Sequence, residues 1–472
     1  MRESKRRANP AKQSDTNARN KRKYFDGMER HDHETDGKRK RLVLRTETLT
    51  VKPHCWYPNF RTSNRFRPIH ASSSRRRNNK HYRSRSSSIG ECHRRWVFSG
   101  GDFSAYRDRV VVVSYNILGV ENASKHPDLY SRIPPEFLEW DRRKELICKE
   151  INHYNAGILC FQEVDHFNDL DYLLQKDGFR GVYKARTGEA CDGCAIFWKD
   201  KLFTLLHEEN IEFQSFGLRN NVAQLCVLKM NENQLMSDLC KQTSKATATQ
   251  SRRLVVGNVH VLFNPNRGDI KLGQVRLFLE RAYKLSQEWG SLPVIIGGDL
   301  NSLPESAIYQ FLASSELDVL VHDRRNISGQ LEYPPQHKYF RSQDEIAKRN
   351  SLSNSRPLMH IWSDEELILA TGSKEVTRLC HQLKLCSAYL GVPGSHRSRD
   401  NCGEPLATSY HSKFMGTVDY IWHTKELIPV RVLETVPIDI LRRCAGLPNE
   451  KWGSDHLALV CELAFADEDN MT

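Results

Sequence analysis

The chain has 472 residues, of which 39% are hydrophobic and 27% charged, and its 70 Lys and Arg against 58 Asp and Glu give a formal charge of +12. No stretch approaches the roughly 18 consecutive apolar residues of a membrane span, and the charged N-terminus offers no signal-peptide core, so a membrane partner is not expected. The 13 cysteines are scattered and odd in number, which suits a reducing compartment rather than a disulfide framework.

The charge is unevenly placed. Residues 1–100 carry 27 Lys and Arg against 9 Asp and Glu, a net +18, which leaves −6 for the remainder. Residues 1–95 lack periodic apolar patterning and read as a disordered Arg/Lys/Ser-rich basic tail. Its clusters are Lys5-Arg6-Arg7, Lys21-Arg22-Lys23, Lys38-Arg39-Lys40-Arg41 and Arg75-Arg76-Arg77, followed by the Arg-Ser tract Arg83–Ser88, and aromatics such as Trp56, Tyr57 and Phe66 interleave them. Such a segment attaches nonspecifically to phosphate backbones and also suits nuclear import; a solvated tail without a partner is the plain alternative. The acidic residues Asp32, Glu34 and Asp36 argue against a transit peptide. Nucleus and cytoplasm are the expected locations.

From Trp96 the pattern becomes that of a folded domain, residues 96–466. Val110–Tyr115 reads as a buried strand ending in Asn116. Trp140–Asn155 is helical, with Leu146, Ile147 and Ile151 on one face. Gly157–Phe161 is a second buried strand, ending in Gln162-Glu163, and Phe167–Gln175 a helix. Cys194–Trp198 and Val222–Leu228 are strands. Cys160, Cys226 and Cys461 sit in apolar runs as small core residues. Cys191-Asp-Gly-Cys194 is a lone pair with no second pair to complete a zinc site. Residues 230–253 are polar and read as an insertion. Leu254–Val259 is a strand ending in His260, and Ile270–Trp289 a long helix with Leu272, Val275, Leu279 and Tyr283 on one face. Val294, Ile295 and Ile296 form a buried strand that Gly297 and Gly298 are expected to end while letting the backbone pass close to a neighbour, and Asp299 and Asn301 project from that end. Pro304 stops the turn before a helix over Glu305–Leu312. Residues 322–380 read as a polar, irregular insertion. Thr417–Trp422 is a strand carrying Asp419, and Leu457–Leu463 is the last, directly after Ser454-Asp455-His456. Strands alternate with helices, yet several follow one another directly, which points to mixed sheets with helices outside, an α/β layered sandwich.

A recurring feature carries the chemistry. Strand after strand ends in a polar residue: Asn116, Glu163, His260, Asp299 with Asn301, Asp419 within a strand, and Asp455-His456 before one. Ligands bind at strand ends in α/β folds. Each residue alone has a plain explanation as turn chemistry or a solvated group, but together they are the types that metal-assisted phosphoester hydrolysis needs. The hard oxygens of Glu163 and Asp299 suit Mg²⁺. Asn116 and Asn301 can position a phosphate or the attacking water. His456 can stabilise or protonate near the scissile phosphate while Asp419 sets its tautomer.

Tyr115-Asn-Ile-Leu118, Gln162-Glu-Val164, Gly298-Asp-Leu-Asn-Ser302, Val418-Asp-Tyr420 and Ser454-Asp-His456 resemble, in order, the motifs of the endonuclease/exonuclease/phosphatase superfamily. The resemblance runs from about Val110 to Leu463 and implies a DNase I-like layered sandwich of two mixed β-sheets flanked by helices. Within the superfamily, His260-Val-Leu-Phe-Asn-Pro265 followed by Gly268-Asp-Ile-Lys-Leu-Gly-Gln274 is similar to the carbon catabolite repressor protein four-type deadenylases, their plant homologues and Angel-like branch in particular. That resemblance implies a Mg²⁺-dependent 3′-to-5′ exoribonuclease, with Mn²⁺ able to substitute, that shortens mRNA poly(A) tails and releases AMP. It implies Glu163 as metal ligand, Asp299 and Asn301 at the metal and the attacking water, Asp455 in support of the metal site, and His456 at the scissile phosphate. It implies phosphate contacts from Asn116 and His260, and Asp419 as the group that orients His456. Pro265 and Phe414 fall where these enzymes sandwich an adenine, in keeping with the stacking of bases on flat side chains; ordinary core packing is the plain alternative for Phe414. The founding yeast-type members carry leucine-rich repeats that bind the Ccr-Not scaffold. This chain shows no such period, so Ccr-Not subunits as partners follow from the family alone. The Angel-like likeness brings a rival activity, hydrolysis of 2′,3′-cyclic phosphates at RNA ends. A non-catalytic RNA-binding adaptor is the third reading, supported by the tail and opposed by the intact catalytic set. Abasic-site endonucleases and lipid or inositol phosphatases share the core motifs but give no reason for the 260–265 segment.

Overall fold

The computed structural model describes residues 94–104, 106, 108–231, 252–330 and 362–466. The basic tail lies outside the described residues except at its end, as do residues 232–251 of the first expected insertion and 331–361 of the second. In chain order the elements begin with β1 Trp96–Phe98, β2 Arg109–Asn116, α1 Val120–Lys125, α2 Trp140–Asn152, β3 Ile158–Gln162, α3 Phe167–Lys176, β4 Phe179–Ala185, β5 Gly193–Lys199, β6 Phe203–Glu212, β7 Val222–Met230 and β8 Arg253–His260. They continue with α4 Gly268–Glu288, β9 Val294–Asp299, α5 Ala307–Ser314, β10 Glu316–Asp318, α6 Asp364–Thr371, β11 Arg378–Cys380, β12 Cys386–Ser387, β13 Ser409–His411, β14 Phe414–Gly416, β15 Asp419–His423, β16 Leu427–Leu433, α7 Ile438–Leu441 and β17 Leu459–Phe465.

Two mixed sheets result, one in the order β1-β16-β17-β2-β3-β5-β4 and the other β12-β15-β9-β8-β7-β6. Each is antiparallel except at its centre, where β2 runs parallel to β3 and β8 parallel to β9. Parallel neighbours need a crossover connection, and α2 and α4 supply it. Alternation along each strand then sorts side chains into layers. Val110, Val112, Ile158, Cys160 and Ile196 of the first sheet pack with Cys226, Val256, Ile295 and Ile421 of the second. On the outer face of the first sheet, Val113, Leu159, Phe161 and Phe197 pack with Ile147 and Ile151 of α2 and Leu170 and Leu174 of α3. On the outer face of the second, Leu225, Val255 and Ile296 pack with Leu272, Val275, Phe278 and Leu279 of α4 and Phe311 of α5. Full burial of each such side chain is worth about 1.5–3 kcal/mol. The architecture is thus the expected α/β sandwich of two mixed sheets flanked by helices. No described helix is long and apolar enough to cross a membrane.

Four details differ from the expectations. Gly297 and Gly298 do not end their strand; β9 continues through them to Asp299. They do serve close approach: a Cβ on Gly297 would lie 3.1 Å from Cys160 and 3.2 Å from Ser114 of the facing sheet, and one on Gly298 would lie 2.3 Å from the Val259 carbonyl oxygen. Residues 362–380 are regular rather than irregular. α6 opens on a capping box between Ser363 and Glu366, and β11 pairs antiparallel with β10. β4 and β6 carry no continuous apolar run, because both are sheet edges with much of their length exposed. Finally, Arg94 is docked rather than part of a tail: it donates to the carbonyls of Ala458 at 2.7 Å and Glu434 at 2.9 Å and pairs with Glu150 at 3.4 Å.

Candidate active site

The layer between the sheets changes character toward one end. On β2 the inward series is Val110, Val112, Ser114, Asn116; on β3 it is Ile158, Cys160, Gln162; on β8 it is Leu254, Val256, Asn258, His260; on β9 it is Ile295, Gly297, Asp299. These are the C-terminal ends of the two central parallel pairs. Asp299 lies opposite His260 on one side and opposite Asp419 on the other. Below them Gln162 Nε2 donates to Asn258 Oδ1 at 2.7 Å, and Asn258 Nδ2 donates to the carbonyls of Phe161 at 2.8 Å and Ala195 at 3.0 Å. The polar end of the sandwich therefore rests on a polar layer rather than directly on aliphatic core, and that layer is only partly satisfied, since Gln162 Oε1 and Ser114 Oγ are buried without a hydrogen-bond partner.

Asn116 is the centre of the arrangement. Its Nδ2 donates to Glu163 Oε1 at 3.0 Å and to Asp299 Oδ2 at 3.1 Å, while its Oδ1 accepts from the Leu118 amide at 3.0 Å. Glu163 Oε2 also accepts from Gly119 N at 3.0 Å and Asn122 Nδ2 at 2.9 Å. Asp299 Oδ1 accepts from Asn301 N at 2.8 Å, and Asn301 Nδ2 donates to the Val261 carbonyl at 3.0 Å and lies 3.2 Å from His260 Nε2. His260 Nε2 is 3.6 Å from Asp299 Oδ2 and 4.0 Å from Glu163 Oε1. On the other side His456 Nδ1 donates to Asp419 Oδ2 at 2.8 Å, which presents Nε2 to Asp299 Oδ2 at 3.9 Å. Glu163 and Asn301 hold positive φ angles of 57° and 45°. Non-glycine residues persist there only where their surroundings enforce it, as at functional sites.

The electrostatics follow from burial and proximity. Burial, joined by the Asp419 carboxylate, raises the pKa of Asp299, against the opposing pull of His260 and His456. Burial works the same way on Glu163, but His260, Asn116 and Asn122 outweigh it and leave this carboxyl below its ordinary value. Burial alone would lower the His456 pKa; the carboxylates of Asp419, Asp455 and Asp299 reverse that and hold it well above the usual histidine range.

All eight expected catalytic residues, together with Pro265 and Phe414, therefore lie at one end of the sandwich. A cavity of about 520 Å³ opens there, lined by Glu163, His260, Asp299, Asn301, Asp455 and His456 and also by Pro265 and Phe414. Asp455 is engaged by a residue that sequence reasoning missed: its Oδ2 accepts from the Tyr130 hydroxyl at 2.9 Å. Asn122, which braces Glu163, and Lys271 were missed as well. The buried Lys271 donates from Nζ to the Asn301 carbonyl at 2.6 Å and to Gln330 Oε1 at 2.7 Å. Burial pushes its pKa down to about 7. The available signal for Lys271 was its place between Ile270 and Leu272 at the start of α4. The lone Cys191/Cys194 pair is no site: Cys194 is buried in β5 and Cys191 is exposed.

The donor set fits a hard divalent cation. Glu163 and Asp299 aim carboxylate oxygens at one buried amide nitrogen, Asn116 Nδ2, and Asp419 Oδ1 is buried without a hydrogen-bond partner. Asp299, Asp419 and His456 have potential ligand atoms within 4.8 Å of one another. Because His456 Nδ1 is spent on Asp419, that trio reads as an oriented imidazole beside a carboxylate, and Glu163 and Asp299 are the pair that would hold the ion.

The profile of the Endonuclease/Exonuclease/phosphatase family matches residues 113–456, a span that begins in β2 and ends on His456. The chain belongs to this family. Two Arabidopsis thaliana relatives are similar over most of it. Carbon catabolite repressor protein 4 homolog 5 is 60% identical over 426 residues, 90% of this chain and 92% of that protein. Carbon catabolite repressor protein 4 homolog 3 is 47% identical over 358 residues, 76% and 75% of the two chains. Among solved structures, ANGEL2, a 2′,3′-cyclic phosphatase in complex with adenosine-2′,3′-vanadate, superposes with a TM-score of 0.62 at 28% identity and covers 80% of this chain and 99% of that one. The family is typically metal-dependent, and its members are hydrolases of phosphate esters.

Proposed function

We infer that this protein is a Mg²⁺-dependent 3′-to-5′ exoribonuclease that shortens poly(A) tails and releases AMP, with Mn²⁺ as an alternative ion. The observation that carries the reading is the single cavity in which the Asn116-clasped carboxylates and the Asp419-oriented His456 share a wall with Pro265 and Phe414. A divalent ion, when bound, would supply charge neutralisation at the phosphate and activation of a water, and Glu163 and Asp299 would hold it. Asn116 keeps their two carboxylates in register, and Asn301 and His260 face the phosphate from the second sheet. His456, raised in pKa and fixed by Asp419, offers Nε2–H to a phosphate oxygen where charge builds up. Pro265 and Phe414 give the terminal adenine an apolar slot. The family resemblance extends this reading to a place in a Ccr-Not-type complex.

A second reading, opening of 2′,3′-cyclic phosphates at RNA ends, is favoured by the likeness to ANGEL2, which is named for that activity. The same residues serve both, since each reaction attacks a phosphodiester at an RNA terminus. One assay decides. Purified protein with Mg²⁺ is given 5′-labelled RNA ending in an adenosine tract, the same RNA with a non-adenosine end, and an RNA with a 2′,3′-cyclic end. A ladder confined to the adenosine tract, and abolished by Glu163→Ala in a folded protein, supports the deadenylase. Cyclic-end opening without a ladder replaces it with the second reading, and retained activity in folded Glu163→Ala overturns the site.

A further inference from the structure

We propose that Phe263 and His126 form a second base-stacking subsite, which receives the nucleotide next to the terminal one and makes the cavity selective for a chain end over a free mononucleotide. Phe263 is 52% exposed although it belongs to a folded loop directly after β8. A phenylalanine left in water forgoes the roughly 1.5–3 kcal/mol that burial would contribute, so an exposed ring on a cavity wall invites a ligand explanation. Phe263 lines the same cavity as Glu163, Asp299 and His456, and so does His126, which is exposed at the end of α1. Their rings lie 6.1 Å apart and are inclined by 41°, so neither covers the other's face.

The placement matches one nucleotide step. Phe263 precedes Pro265 by two residues on one loop, and two residues reach at most about 7 Å. The base next to the one held at Pro265 therefore arrives at Phe263. Phe414, by contrast, is backed by His411 at 5.9 Å between ring centroids, and His411 by Tyr130 at 6.5 Å. His411 and Tyr130 are 8% and 6% exposed, so they support Phe414 and do not themselves offer a face. Among the described residues lining the cavity, one exposed aromatic station thus remains beyond the terminal slot, and it stacks any base because every base has a π-face.

This inference rests on the RNA-end reading, and a binding experiment separates the two. The full chain with Mg²⁺ is titrated with AMP and with a di-adenylate whose phosphorothioate linkage resists hydrolysis, two ligands small enough to engage the basic tail to a similar and slight degree. One stacked base is worth about 1–3 kcal/mol, so Phe263→Ala should weaken the di-adenylate by about 5- to 150-fold while the AMP constant falls by much less. Phe263→Trp should restore di-adenylate binding. An equal loss for both ligands, no loss for either, or a wild-type protein that holds di-adenylate no better than AMP would overturn the subsite. If the selective loss is seen while the wild type hydrolyses no RNA end, the subsite stands and the catalytic reading fails.

Discussion

Asn116→Asp is the most informative single change in the site, because it preserves shape and inverts one property. Asn116 Nδ2 is shared by Glu163 Oε1 at 3.0 Å and Asp299 Oδ2 at 3.1 Å. The substitution puts a third carboxylate where the shared donor was. At an effective dielectric constant of about 20, unit charges roughly 3 Å apart repel by about 5 kcal/mol. Two such contacts exceed the cost of keeping a proton, so the folded variant holds one. Holding a carboxyl proton at pH 7, about three units above the ordinary carboxyl pKa, costs about 4 kcal/mol, at 1.36 kcal/mol per unit. The sign follows from linkage. The carboxyl's folded-state pKa is raised, the folded state binds more protons than the unfolded one, and stability relative to wild type falls as pH rises from about 4. The loss should be near 1–2 kcal/mol at about pH 5 and near 4 kcal/mol at about pH 7. Urea unfolding of both proteins in EDTA across that range measures it. Added Mg²⁺ should recover much of the loss, since a cation between the carboxylates replaces the proton. Asn116→Ala is the control: it removes the donor without adding charge, so its loss should be much less dependent on pH. An Asn116→Asp variant whose deficit is flat with pH, or matches that of Asn116→Ala throughout, would refute the contact between these groups.

Two further outcomes test parts the catalytic carboxylates do not cover. Lys271→Met strips the donor from the Asn301 carbonyl and from Gln330. The buried Asn301 carbonyl left unmatched costs about 1–3 kcal/mol and the half-buried Gln330 less, and a loosened Asn301 should lower kcat by about 10- to 100-fold with a smaller change in KM and partial rescue in Lys271→Arg; unchanged kcat in a folded protein would show that Asn301 needs no such support. Deleting residues 1–93, and not beyond because Arg94 is docked on Glu434 and Ala458, should weaken RNA binding and flatten its dependence on salt as fewer counterions are released; an unaltered slope would favour nuclear import as the tail's role.

Much of this protein could be read without its structure, and the reason is local. β2, β3, β8 and β9 are buried on both faces, so each spells an apolar run, and the polar residue that ends the run announces a site: Asn116, Glu163, His260 and Asp299 were all legible this way. Strands at the sheet edges were not. β6 is exposed or half-buried at all but two positions and leaves no run to read, and α6 and β11 were hidden in a polar stretch. The close approach at the glycines of β9 was legible, but not that the strand runs on through them, because a tight approach to Ser114 and Cys160 on another sheet looks, in one dimension, like a strand end.

Beyond that, the sequence alone determined the fold class, the kinds of side chain at the site and the chemistry they suit. Which groups touch was decided only by the tertiary structure. Asn116 meets an Asp299 that is 183 positions away, and Tyr130 meets an Asp455 that is 325 positions away. Contacts across such separations depend on how two sheets are registered and stacked. The same packing withdrew Lys271 from water, shifted the Glu163 and His456 pKa values in opposite directions, and left Phe263 exposed on the cavity wall. Burial, dielectric and direction are properties of the packed layers, and no single strand carries them.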